Sequence, residues 1–92
     1  MDLELAEALD QFRKWSAAES IIRITKEGTS WLSPAHVWSV SKDAILVGEE
    51  GSMDTTKIGN LGAADFRRVE GGIDAVWPTG ATVHFREESL LT

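Results

Sequence analysis

The chain has 92 residues, 42% of them hydrophobic, no cysteine, and a net charge of −6. That length supports one modest core and the composition argues against whole-chain disorder, while the missing cysteines exclude disulfides, thiolate metal sites and a cysteine nucleophile. The acidic balance lacks the broad positive footprint of phosphate-backbone binding, so nucleic acid is a disfavoured partner.

Met1 leads directly into Asp2 and Glu4 rather than into a basic, then apolar, leader, so no secretory signal is expected. No run approaches the roughly eighteen apolar residues of a membrane span. The expected setting is the cytoplasm, with no membrane partner.

Residues 2–17 read as an amphipathic helix. Leu5, Leu9, Phe12 and Ser16 fall on one line, with Ala8 and Trp15 beside it. Asp2 suits an N-cap. Glu4, Glu7 and Asp10 lead and Arg13 and Lys14 follow, the order the helix dipole favours. The stripe is expected to cover one side of a sheet through Leu5, Leu9 and Phe12. After Ser20 the period shortens to two. Residues 21–26 are β-branched, with Ile22 and Ile24 on one face, and Gly28 supports a turn. Pro34 makes residues 31–34 a poor central strand. Residues 36–41 are strand-like, and Lys42-Asp43 reverses the chain into residues 44–47. An acidic loop, Glu49-Glu50-Gly51-Ser52, precedes a weaker strand over residues 53–58. Residues 59–64 read as a loop or one helical turn. Residues 66–70 form the next strand, Gly71-Gly72 is a hairpin signal, and residues 73–77 answer it. Pro78-Thr79-Gly80 turns the chain into a last strand over residues 81–86. There Val83 and Phe85 point one way and Thr82, His84 and Arg86 the other. Residues 87–92 form a tail in which Leu90 and Leu91 can dock.

One helix with several short strands and frequent turns indicates a barrel or sandwich rather than a βαβ sheet. The layout resembles that of Sm-like and SH3-like small barrels. Residues 21–28 look like their first strand and turn, residues 36–47 like the second and third strands, and Thr55-Thr56-Lys57-Ile58 and Phe66-Arg67-Arg68-Val69 like the fourth and fifth. The expected fold is therefore mainly β: an N-terminal α-helix, then a small, strongly bent barrel of five strands plus a C-terminal hairpin over residues 20–86, in one domain. Sm proteins that bind RNA typically carry an Asp and an Asn after the second strand, and a basic residue followed by Gly near the fourth. Here Ser41-Lys42-Asp43 has no Asn, and Ile58-Gly59 and Leu61-Gly62 have no basic partner, so the resemblance does not carry RNA binding over. Locally, Val76-Trp77-Pro78-Thr79-Gly80-Ala81 is similar to the Trp-Pro-x-Gly-Ala segment that closes a bacterial domain found near toxin–antitoxin genes.

Chemistry-bearing patterns are sparse. Neither His36 nor His84 has neighbours at metal-ligand spacing, so no metal is expected. There is no Gly-x-Ser-x-Gly elbow, no Walker loop and no Gly-x-Gly-x-x-Gly after a strand, so no cofactor and no catalytic residue is assigned. The pairs Glu49-Glu50 and Glu87-Glu88 read as solvated. Four tryptophans exceed the needs of a small core. Trp31, in a turn-rich stretch, is the candidate exposed anchor. Arg67 and Arg68, with Arg86, form the one basic focus, open to an acid on a partner or to a nucleic acid, although with fifteen acidic side chains in the chain internal salt bridging is the more expected use. The candidate interface is thus Trp31, Arg67 and Arg68. The expected function is that of a non-catalytic protein-interaction or assembly module, associating through β-edges or barrel faces with a second copy of itself. The alternative is an Sm-like nucleic-acid binder using Arg23, Lys57, Arg67 and Arg68 on one rim.

Overall fold

Helix α1 spans Leu5–Ala17 and buries Ala8, Leu9, Phe12 and Trp15, the stripe that the apolar spacing marks. The computed structural model describes residues 2–26, 29–49, 51 and 53–87, with the backbone alone for residues 29–33. The helix starts later than its sequence pattern suggests. Asp2–Leu3 form a short strand, β1, and Glu4 rather than Asp2 is the N-cap, its N–H donating to Glu7 Oε1 at 3.2 Å. On a helix Leu3 would share a face with Glu7 and Asp10 and lie in water; as a strand residue it is buried.

Seven further strands follow: β2 Ile22–Lys26, β3 Thr29–Val40, β4 Ile45–Glu49, β5 Thr56–Ile58, β6 Asp65–Val69, β7 Gly72–Val76 and β8 Thr82–Glu87. A 3-10 turn, Leu61–Ala63, separates β5 from β6. The strands form one open eight-stranded sheet in the order β1-β6-β7-β8-β2-β3-β4-β5, with antiparallel neighbours. The architecture is thus mainly β with an N-terminal helix. The C-terminal hairpin does not stand outside a five-stranded unit: β7 and β8 lie in the middle of the sheet, and β8 pairs with β2 from Ile22↔Glu87 to Lys26↔Val83. The register Ile24↔Phe85 brings the apolar residues of both strands to one face. There they join Ala35, Val37, Ile45, Val47, Phe66, Ile73 and the helix stripe in a single core. Phe12 sits at its centre, with ring centroids 5.0 Å from Phe85, 6.4 Å from Phe66 and 5.9 Å from Trp15. The edge-on and tilted ring geometries are those that aromatic quadrupoles favour.

Strand β3 departs most from the sequence reading. It runs unbroken through Pro34 and lies between β2 and β4. Pro34 is accommodated because the pairing steps from Ile22↔Ala35 to Ile24↔Leu32, which leaves an extra residue on β3 at that point. A bulge releases a proline from the ladder hydrogen bond that it cannot donate. A second slip, from Ile24↔Leu32 to Thr25↔Ser30, makes Trp31 the extra residue. A third, from Val37↔Val47 to Ser39↔Leu46, does the same for Trp38.

The hairpin between β6 and β7 also differs from expectation. Val69 pairs with Gly72, so the turn residues are Glu70 and Gly71, and Gly71 alone of these is left-handed, at φ +79°. Gly72 belongs to the strand. A Cβ there would run into the Phe85 carbonyl oxygen, so it is close approach to β8 that demands glycine. In the Trp77-Pro78-Thr79-Gly80 turn, the Gly80 N–H donates to the Trp77 carbonyl at 2.9 Å, and the buried Trp77 indole donates to the Asn60 carbonyl at 2.9 Å. The Trp-Pro-x-Gly segment is therefore a turn anchored by its own tryptophan to the loop that follows β5.

Candidate functional site

A cleft of about 390 Å³ opens where the C-terminal end of α1 meets β3, lined by Ser16, Glu19, Ile21, His36, Val37 and Trp38. Two local structures build it. At the helix end, the Ser20 N–H donates to the Trp15 carbonyl at 3.0 Å and the Glu19 N–H to the Ser16 carbonyl at 3.2 Å. This pair of bonds forms a Schellman cap, which requires a left-handed residue at the position of Glu19. Glu19 adopts it at φ +52°, although glycine is the residue that does so without strain. The cap turns the chain toward β2 and leaves the Glu19 side chain exposed at the mouth of the cleft.

On the strand side, the bulge at Trp38 shifts the phase of β3. Ala35 and Val37 point inward, and the next residue packed on the core is Val40, so both Trp38 and Ser39 face out. Bulges commonly re-aim a side chain in this way. Trp38 is 47% exposed, whereas Trp15 is 2% and Trp77 9% exposed. Its ring is nevertheless fixed. The His36 imidazole packs edge-on at a centroid distance of 5.9 Å. Gly48 lies beneath the pyrrole edge, where a Cβ would stand 2.7 Å from Nε1. Ser16 Oγ donates to the Trp38 carbonyl at 3.4 Å and ties the helix end to the bulge.

A second polar cluster occupies the outward face of the sheet. Cross-strand register aligns Asp2, Arg67, Asp74 and His84 over β1, β6, β7 and β8. Asp74 Oδ1 lies 2.8 Å from Arg86 Nη1 and 2.8 Å from His84 Nδ1. Partial burial by itself would raise the Asp74 pKa, but the hydrogen bonds and positive charge of Arg86 and His84 outweigh it and hold the carboxyl below its usual value. Arg86 Nη1 also donates to the Phe85 carbonyl at 3.0 Å. This cluster staples β7 to β8 and sits on an open sheet face.

The residues singled out in the sequence do not converge. Trp31 lies in β3 and its side chain falls outside the described residues. Arg67 faces outward with its Nε 3.9 Å from Asp2 Oδ1, both side chains well exposed. Arg68 lies on the helix side of the sheet, flanking a hollow that it shares with Glu7, Asp10, Gln11 and Lys14. Arg23 lies on β2, three strands from β6, and Lys57 on the edge strand β5, three strands further on. The four basic residues of the nucleic-acid reading are thus spread across the sheet. Trp38, His36 and Glu19 are not among the candidate interface residues of the sequence reading, which chooses Trp31 among the tryptophans and sets His36 aside as a metal ligand. The signal was present in His36-Val37-Trp38-Ser39-Val40, where Val37 and Val40 are both apolar at an odd spacing and can both face one side only if an extra residue intervenes.

No group of three or more histidine, aspartate or glutamate side chains among the described residues is arranged to hold a metal ion, and none of the described helices is long and apolar enough to cross a membrane. Compared with protein-family models, curated proteins and solved structures, the chain matches none of them.

Proposed function

We propose that this chain is a non-catalytic protein-interaction module that docks its partner in the cleft between the end of α1 and β3. The observation that carries this reading is Trp38, packed against His36 and Gly48 yet half exposed, while the other two tryptophans with described side chains are buried. A fixed, amphipathic ring beside apolar Ile21 and Val37 is the usual composition of an interface anchor. The resemblance to Sm-like and SH3-like barrels supports the reading only at the level of sequence layout, a leading helix followed by short strands. Association through strand edges has less support, because the two edge strands, β1 and β5, are only two and three residues long. A second copy of the chain would dock through the Trp38 face instead.

Selection of a random peptide library on the immobilised chain, with Trp38→Ala as counter-selection, tests the reading. Enrichment of peptides that bind the wild type and lose binding to Trp38→Ala is the expected result. No enrichment, or enrichment indifferent to Trp38→Ala, would overturn it. Sedimentation equilibrium of both proteins decides whether the partner is a second copy: a wild-type mass above the 10.1 kDa of one chain, returning to one chain in Trp38→Ala, identifies it as such.

A further inference from the structure

We infer that the cleft accepts an arginine side chain of a partner protein, its guanidinium lying against the Trp38 indole and facing the Glu19 carboxylate. This inference rests on the reading of the cleft as a docking surface and names what enters it. The indole offers a fixed π-face, and tryptophan is the aromatic side chain that attracts a cation most strongly. His36 and Gly48 hold that ring in place, so little side-chain freedom is lost when a ligand stacks on it.

Charge selects the occupant. Glu19 stands at the mouth of the cleft and makes no ion pair among the described residues. The cleft lies at the C-terminal end of α1, where the helix dipole favours positive charge. No lysine or arginine is among the six lining residues, and the whole chain carries a net charge of −6. Both local and long-range fields therefore draw a cation in. A volume of about 390 Å³ accommodates one long side chain with part of its backbone, and Ile21 and Val37 supply apolar wall for the methylene stem. Guanidinium fits better than ammonium, because it is planar, stacks on an aromatic ring, forks onto a carboxylate and is more weakly hydrated.

The test is a titration of the full-length 15N-labelled chain with three probes: N-acetyl-arginine amide, its uncharged isostere N-acetyl-citrulline amide, and N-acetyl-lysine amide. The indole N–H resonance of Trp38 is the reporter. Arginine amide is expected to shift it saturably, lysine amide several-fold more weakly, and citrulline amide not at all. Glu19→Gln, an exposed change that leaves the fold intact, is expected to weaken arginine binding about fivefold, and Trp38→Leu, followed through the backbone N–H resonances of His36 and Val37 in the cleft wall, to abolish it. Equal shifts with citrulline, or arginine shifts spread over the acidic surface and unaltered by Glu19→Gln, would refute the inference. Its failure is distinct from failure of the docking reading: Trp38-dependent peptides without arginine would leave the docking surface standing and remove only its proposed occupant.

Discussion

Glu19 and Gly72 show two ways in which a single backbone position constrains a residue. Glu19 sits in left-handed backbone at the Schellman cap, where glycine relieves steric strain of about 1–2 kcal/mol. Glu19→Gly is accordingly expected to raise the unfolding free energy by about 1 kcal/mol, read as a higher urea midpoint at unchanged m-value, while weakening ligand binding at the cleft. Gly71 has positive φ with open space around it, whereas Gly72 faces the β8 backbone. Gly71→Ala is expected to cost about 1–2 kcal/mol and Gly72→Ala clearly more, since a Cβ at Gly72 would push β7 and β8 apart. Equal losses in chemical denaturation would contradict this account. Asp74 is constrained by charge. Its pKa is lowered on folding, so the stability that it contributes is complete above its unfolded value and is lost as pH falls through its folded value. Asp74→Asn is expected to cost about 1–3 kcal/mol at neutral pH, because Arg86 and His84 lose a shared acceptor. Its melting temperature should then decline less steeply than that of the wild type from about pH 5 downward.

Among the elements, α1 and β3 carry most of the design. The helix packs on the core face of the sheet with Phe12 wedged between Phe66 and Phe85, and Phe12 is fully buried. Phe12→Ala is expected to cost about 3–5 kcal/mol, the transfer of the ring plus the cavity left behind. An unchanged thermal midpoint would show that the helix does not close the core. Within the same helix, Trp15 Nε1 is buried without a hydrogen-bond partner, a desolvated donor of the kind that costs about 1–3 kcal/mol. The helix therefore holds its place through apolar burial rather than through polar anchoring at Trp15. Strand β3 works differently. Its register slips bend it at Trp31, at Pro34 and at Trp38, and the last of these aims the tryptophan outward into the cleft.

For the molecule as a whole, charge distribution separates the two readings of function. Arg23, Lys57 and Arg67 lie on strands three positions apart in the sheet, and Arg67 faces Asp2. A dispersed set of cations on a chain of net charge −6 does not form the continuous positive groove that a nucleic-acid backbone requires. Filter binding with single-stranded RNA and DNA is expected to show no retention at moderate salt. Retention that persists there, and falls on charge reversal of these residues, would restore the nucleic-acid alternative. The sheet edges belong to the same scale. Short terminal strands limit edge-to-edge pairing, and it is for this reason that the proposed route to association runs through the side-chain surface around Trp38.

The sequence alone determined what depends on local spacing. The helical period of Leu5, Ala8, Leu9, Phe12 and Trp15, the two-residue period of Ile22 with Ile24 and of Val83 with Phe85, and the turn at Trp77-Pro78-Thr79-Gly80 all rest on neighbours within a few positions. Each therefore survived unchanged in the structure. What only the tertiary structure decided depends on partners far apart in the chain. β8 pairs with β2, and Asp2 lies across from Arg67, because burying all the apolar faces on one helix selects that order among many that the individual strands allow. The cleft is legible only at this level. That Trp38 faces outward is set by one extra residue in β3 relative to β4, and that it shares a cleft with Glu19 is set by how α1 lies across the sheet.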